Sequence, residues 1–203
     1  MSQFGLIVVG AHHGFWLENE VNKSKGNIIL IEPVKYNFDQ LKERFLNKNN
    51  IYFENIAISK TNEIKPFYFV KGSSVSKLKK HWASGIGSFS KEHILNHRTK
   101  RFLITADDID EISLSTIKFN DLIDKYKIKK LDKLIIDTEG YDDEIIRSID
   151  FNKVEISEIQ LEKKHLGGTF EEGNEEKNLI SFLSKFNFEV VNKDIKNIFF
   201  KKN

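Results

Sequence analysis

The chain has 203 residues, 39% of them hydrophobic and 31% charged, with 17 Phe, no Cys and a formal net charge of +2. That length suits one α/β domain spanning residues 1–203, and a small, interspersed charge argues against a nucleic-acid surface, which clusters its basic residues. The lack of cysteine excludes disulfides, thiolate metal sites and a cysteine nucleophile. No apolar run approaches the ~20 residues needed to cross a bilayer, and the N-terminus runs into an apolar strand without a basic leader, so a cytoplasmic location is expected.

Residues 5–10 read as a short apolar strand that ends in the turn Gly10-Ala11-His12-His13-Gly14. Glycines there let the chain turn sharply and let a ligand approach the bare backbone. Residues 14–24, with Phe15, Leu17 and Val21, read as the first helix, and residues 28–32 as a second buried strand ending in Glu32 and Pro33. Glu32 is placed to accept hydrogen bonds from both hydroxyls of a ribose, so this opening has the layout of a nucleoside-binding α/β domain. Residues 35–47 put Phe38, Leu41, Phe45 and Leu46 on one helical face. Residues 51–58 read as a third strand, with 64–70 as a strand added beside it. The alternation predicts a mostly parallel, doubly wound sheet.

Residues 71–110 break that rhythm. They are rich in Ser, Gly and basic residues, with Trp82 and Phe89 interleaved. A connection this long is either a cover over the substrate site or a surface insertion. Within it, SFSKEHILNH predicts a short helix capped by Ser88 or Ser90. KLKK at 77–80 reads as solvated surface, although His81 and Trp82 beside it would suit a phosphate or a glycan. Regularity then returns with a strand at 112–118, a helix at 119–127 and a buried strand at 131–137 followed by Thr138-Glu139-Gly140. A helix at 141–150, a strand at 154–162, a helix at 176–186 and a terminal hairpin of 188–192 and 197–201 complete the chain.

The stretches VVGAHHG (8–14), ILIEPVKYNFDQL (29–41), NIAIS (55–59), IKFNDLI (117–123), IIDTEGYDDEII (135–146) and IQLEKKH (159–165) resemble the FkbM-type methyltransferases, a branch of the class I enzymes that use S-adenosylmethionine (SAM). The resemblance implies a Rossmann-like fold, with a mostly parallel seven-stranded sheet, helices on both faces and a C-terminal antiparallel hairpin. It implies that Gly10, Ala11, His12 and Gly14 line the methionine and ribose, that Glu32 binds the ribose hydroxyls and that Pro33 shapes the turn. Asn55, Ile56 and Ala57 would lie by the adenine, Asp137 beside the transferred methyl and Glu139 at the pocket mouth. Three departures stand out. Val8 and Ile135 stand where the family usually has an acid and often a lysine, and His12 and His13 fill a turn that usually holds smaller or aliphatic residues. The missing acid is expected to weaken the grip on the methionine end or to shift that job to another residue. The family often has an N-terminal segment over the pocket, and its absence leaves closure to residues 71–110 or to a second subunit, which keeps a homo-oligomer open.

Methyl transfer from an activated sulfonium needs mainly alignment, plus a proton acceptor when a hydroxyl is the nucleophile. The candidates are Asp137, Glu139, Glu162 and His165, with His12 and His13 behind them. Glu139 also has a bland reading as a helix N-terminal carboxylate. Asp137, Glu139 and Asp142 offer oxygen ligands for Mg²⁺, but without a diagnostic spacing no metal is expected. The expected acceptor is a sugar or glycan hydroxyl or a secondary metabolite. A nicotinamide-dependent oxidoreductase is the alternative, although GAHHG lacks one of the three glycines of that fingerprint. A non-catalytic SAM-binding domain is the other.

Overall fold

The computed structural model describes residues 3–163 and 174–203. The chain runs β1 (Phe4–Val9), α1 (Glu18–Lys23), β2 (Asn27–Ile31), α2 (Lys35–Arg44), β3 (Ile51–Glu54), β4 (Ala57–Ile58), β5 (Ile64–Val70), α3 (Gly72–Leu78), β6 (Gly87–Ser88), α4 (Lys91–Asn96), β7 (Ile109–Ile117), α5 (Phe119–Tyr126), β8 (Lys130–Ile136), α6 (Asp142–Ser148), β9 (Glu155–Glu162), α7 (Asn174–Ser184), β10 (Phe188–Lys193) and β11 (Asn197–Lys202).

Seven strands form the main sheet in the order β10–β11–β9–β8–β1–β2–β3. The five from β9 to β3 are parallel, and β11 lies antiparallel between β9 and β10. This is the mostly parallel seven-stranded sheet with a closing antiparallel hairpin that the resemblance implies.

Parallel strands covered on both faces are apolar throughout, and alternation sorts their side chains between two cores. Ile7 and Val9 of β1, Ile29 and Ile31 of β2, and Leu134 and Ile136 of β8 face α5, α6 and α7, which contribute Phe119, Leu122, Ile145, Ile146, Leu179 and Leu183. Leu6, Val8, Ile28, Leu30 and Ile135 face the other way, against Leu17, Val21, Leu41 and Phe45 from the α1 and α2 region.

The strand predicted at 51–58 is two strands in two sheets. β3 ends at Glu54, and after Asn55 and Ile56 the chain leaves to pair β4 with β7. The strand at 64–70 does not extend the main sheet either. β5 pairs antiparallel with β7 along its whole length and with β6 at Tyr68 and Phe69, so a second sheet runs β4–β7–β5–β6. Pro66, opposite Ser113, lies where the other edge of β5 carries no partner among the described residues, a position a strand proline tolerates.

Residues 71–110 are folded rather than loose. Val70, Leu78, Ala83, Ile86, Ile94, Phe102, Ile104 and Ile109 form a buried cluster of their own. Ser90, one of the two predicted caps, accepts the His93 amide at 3.3 Å at the start of α4.

Candidate active site

The carboxyl ends of β1, β2 and β8 converge on one edge of the main sheet, where open α/β folds bind ligands. Gly10 (φ +85°) takes the chain off β1 in a conformation that favours glycine. A Cβ on Gly10 would lie 1.8 Å from the Asp137 carbonyl oxygen, so the bare backbone lets the turn press against the end of β8. Gly14 (φ +77°) has another reason. A Cβ there would meet Leu41 and Phe45 at 2.7 Å, so this glycine serves the packing of α2.

Glu32 follows β2 and is buried. Its two carboxylate oxygens accept the His12 and Val34 amides, each at 2.9 Å. Asn55 donates to the carbonyls of Glu32 (2.8 Å) and Pro33 (3.0 Å), fixing this loop from the end of β3. Burial pushes the Glu32 carboxyl up to about 7, against the pull of those two amides. Desolvation, with His13 beside it, pushes His12 down to about 3, so its imidazole is neutral and a weak base. Ser84 donates its hydroxyl proton to the His81 carbonyl (3.1 Å) and so accepts from His12 Nε2–H at 2.7 Å. That bond ties the glycine turn to the 71–110 segment.

A second cluster lies past β8. Asp142 is buried and accepts the Thr138 amide (3.1 Å) and hydroxyl (2.6 Å) with one oxygen, and the Glu162 amide (3.3 Å) with the other. It pins the Thr138–Tyr141 loop to the end of β9, and its oxygens are committed to that task rather than to Mg²⁺. Helix α6 begins at Asp142, and Glu139 precedes it with φ +53°, placing its carboxylate 3.5 Å from His97 Nε2. The helix-terminus reading of Glu139 is therefore not what the fold uses. Asp137, Glu139 and Glu162 bring their oxygens within 4.8 Å of one another. Burial and the neighbouring carboxylates of Glu139 and Asp142 push Asp137 well above the usual carboxylate range.

Together these elements enclose a cavity of about 800 Å³, the scale of a small-molecule site. Of the residues expected to hold the cofactor, Gly10, His12, Glu32, Pro33, Ile56, Ala57 and Asp137 line it, and so do Glu139 and Glu162. Ala11, Gly14 and Asn55 do not. Ala11 is buried in the core beneath the turn, while Gly14 and Asn55 act from behind as described. His165 lies outside the described residues. Val9 lines the cavity whereas Val8 points into the opposite core.

The family profile of the methyltransferase FkbM domain matches residues 9–190. The chain belongs to the FkbM methyltransferase family. Solved structures with a similar fold include the fibrillarin/Nop5p complex (14% identity, TM-score 0.48, covering 100% of this chain and 72% of that one). Another is the Streptococcus mutans protein SMU.1697c in complex with S-adenosylhomocysteine (11%, 0.48, 100% and 89%). A third is Aeropyrum pernix fibrillarin with S-adenosylmethionine (10%, 0.47, 98% and 67%). No curated protein matches.

In this FkbM methyltransferase the 71–110 segment forms one wall of the cavity, through Lys80, His81, Trp82, Ile86, Phe89 and Phe102 among others. The sequence points to His81 and Trp82 on this wall but not to His97, Arg101 and Phe102, which also line it. The signal for His97 was present as His93-x-x-x-His97, a spacing that puts two imidazoles on one side of a helix.

Proposed function

We propose that this chain transfers the methyl group of SAM to a hydroxyl oxygen of a sugar, a glycan or a secondary metabolite, releasing S-adenosylhomocysteine (SAH). The observation that carries the reading is Glu32: a buried carboxylate oriented by two backbone amides at the end of the strand beside the glycine turn. The carboxylate also accepts from the Asn37 side chain, and its remaining acceptor capacity is available to a ribose hydroxyl. Beside it, Pro33, Ile56 and Ala57 supply an apolar slot for a base, and Gly10 lets the chain approach without a side chain between. These residues fit a nucleoside cofactor.

SAM, when bound, supplies a methyl group on an already activated sulfonium. The chain's own work is alignment and proton handling. Asp137 and Glu162 stand at the carboxyl ends of β8 and β9, on the cavity side. The raised proton affinity of Asp137 makes it a stronger base than an ordinary carboxylate, suited to taking a hydroxyl proton near neutral pH. Asp142 keeps the loop between them in place. The wall built by residues 71–110 excludes water from the reacting atoms and meets the acceptor with Trp82 and Arg101. No helix of the described residues is long and apolar enough to cross a membrane, and a cysteine-free chain suits the reducing cytoplasm.

The test is calorimetric binding of SAH, with NADH and NADPH alongside, to wild type and to Glu32→Ala. SAH alone should bind, and the variant should lose about 1.5–3 kcal/mol, the scale of hydrogen bonds to a charged group. Unchanged SAH affinity in Glu32→Ala removes the assignment. SAH binding without turnover on any hydroxyl acceptor would favour a non-catalytic binding domain.

A further inference from the structure

We propose that His93, His97 and Glu139 form a binding site for one divalent transition-metal ion on the acceptor side of the cavity. The three residues come from two separate parts of the chain. His93 lies in α4 and His97 caps its end, one turn apart, and Glu139 reaches them from the loop after β8. Each offers a ligand atom, and the three atoms lie within 4.8 Å of one another.

Three observations make this more than a chance meeting of polar groups. His97 Nδ1 lies 3.0 Å from the His93 carbonyl oxygen. A carbonyl only accepts, so Nδ1 carries the proton and donates it there. In the neutral ring, Nε2 then presents a lone pair toward the Glu139 carboxylate. A ring proton given to a backbone carbonyl, with the other nitrogen directed at the ion, is how metal-bound histidines are oriented. Second, His97 Nε2 and Glu139 Oε2 are 3.5 Å apart, longer than a good hydrogen bond. Two ligands each about 2.1 Å from a tetrahedral ion would be about 3.4 Å apart. Third, Glu139 also belongs to a second trio with Asp137 and Glu162, so the same carboxylate joins the two histidines to the acids at the ends of β8 and β9.

Two imidazoles and a carboxylate select the chemistry. Such a set suits Zn²⁺, Fe²⁺, Co²⁺ or Ni²⁺ rather than Mg²⁺, which prefers an all-oxygen shell. This replaces the expectation, from spacing alone, that no metal is present. The ligands differ too from the Asp137, Glu139 and Asp142 set. His97 and Glu139 line the cavity, so an ion between them would present open positions to it. The role of the ion, unlike its binding, rests on the methyltransferase reading. An acceptor hydroxyl that ligates it gives up its proton more readily to Asp137 or Glu162. The oxygen lone pair then forms the new O–CH₃ bond as the CH₃–S bond breaks, and the sulfonium electron pair stays on a neutral thioether.

The test uses the full chain, stripped with a chelator and titrated with Co²⁺ alone. Binding is followed by visible absorption, with Zn²⁺ as competitor. One Co²⁺ per chain, displaced by Zn²⁺, is expected. His93→Gln, His97→Gln and Glu139→Gln should each weaken it by at least about tenfold, while His81→Gln, at another part of the cavity wall, should not. A fourth variant, His93→Cys, guards against misfolding. If residue 93 ligates, its thiolate adds a sulfur-to-cobalt charge-transfer band while the thermal melt stays cooperative. No saturable Co²⁺ binding, or binding indifferent to all these substitutions, overturns the proposal. SAH calorimetry on the same samples separates the two readings. SAH binding without Co²⁺ binding removes the metal site alone, and Co²⁺ binding without SAH binding removes the methyltransferase reading alone.

Discussion

Val8 and Ile135 are directly paired neighbours on β1 and β8, and both point into the buried cluster under α1 and α2. They are also the two positions where the resemblance implies an acid and a lysine. On that expectation the two count as one exchange, an apolar pair where a charged pair is implied. Val8→Asp alone should then be costly. It removes a fully buried apolar side chain, worth about 1.5–3 kcal/mol. It also sets a carboxyl where water cannot reach. Keeping that carboxyl neutral at pH 7 means lifting its pKa by about 3 units, or about 4 kcal/mol. A total near 6 kcal/mol should lower the melting temperature by about 12–24 °C in a domain of this size. Ile135→Lys should cost a similar amount. In Val8→Asp with Ile135→Lys the two charges meet across the strands, and the double variant should recover about 2 kcal/mol relative to the sum of the singles. The assay is a double-mutant cycle by urea denaturation, followed by far-UV circular dichroism. A coupling below about 0.5 kcal/mol, or a Val8→Asp melt within about 3 °C of wild type, refutes the exchange. The same cycle tests the expectation that the missing acid weakens cofactor binding. Val8 does not line the cavity, so a folded double variant should bind SAH as wild type does.

Burial raises both Glu32 and Asp142 to about 7. The folded chain therefore holds protons that the unfolded chain releases near pH 4–4.5, and the stability this gives is lost as pH rises toward about 7. The ligand-free protein should melt at a higher temperature at pH 5.5 than at pH 8, and Asp142→Asn should flatten that slope; a melt that rises over this window contradicts the burial argument. Ser84→Ala removes the acceptor for His12 Nε2–H and should cost about 1 kcal/mol. It should also raise hydrogen exchange across residues 71–110, and an unchanged exchange pattern would show that the wall is held by its own core alone. Gly10→Ala drives a methyl group into the Asp137 carbonyl at positive φ. It should abolish SAH binding or folding, and a stable variant with wild-type affinity would refute the close-approach argument.

Much of this architecture was legible because parallel strands announce themselves as short apolar runs and α/β connections are local. The runs at 5–10, 28–32, 131–137 and 154–162 became β1, β2, β8 and β9, and the glycine turn with Glu32 fell where the cavity lies. The second sheet was not legible. IKPFYFV and ISLST each read as strands, but nothing local records that β5 pairs with β7 some forty residues later, since pairing is a non-local property. The break between β3 and β4 was hidden because IYFENIAI is apolar enough to read as one run, while the bond that turns Asn55 toward Glu32 and Pro33 is tertiary. The metal cluster was hidden for the same reason: His93 and His97 show their spacing, but Glu139 joins them only through the fold.

The two-residue period of a strand carries one lesson further. Val8 and Val9 are adjacent and chemically alike, yet one faces the α2 core and the other the cavity. A departure from a family pattern at position 8 is therefore a statement about packing, and the same departure at position 9 would be a statement about the ligand. Whether a strand position falls in the cluster under α1 and α2 or on the cavity side decides which kind of statement it is. By that rule Ile135 belongs with Val8, and its register partner confirms the assignment. The apolar exchange leaves the carboxylates at the strand ends untouched. The site of this FkbM chain also carries two oriented histidines: His12 hydrogen-bonded to Ser84, and His97 turned by a backbone carbonyl toward Glu139.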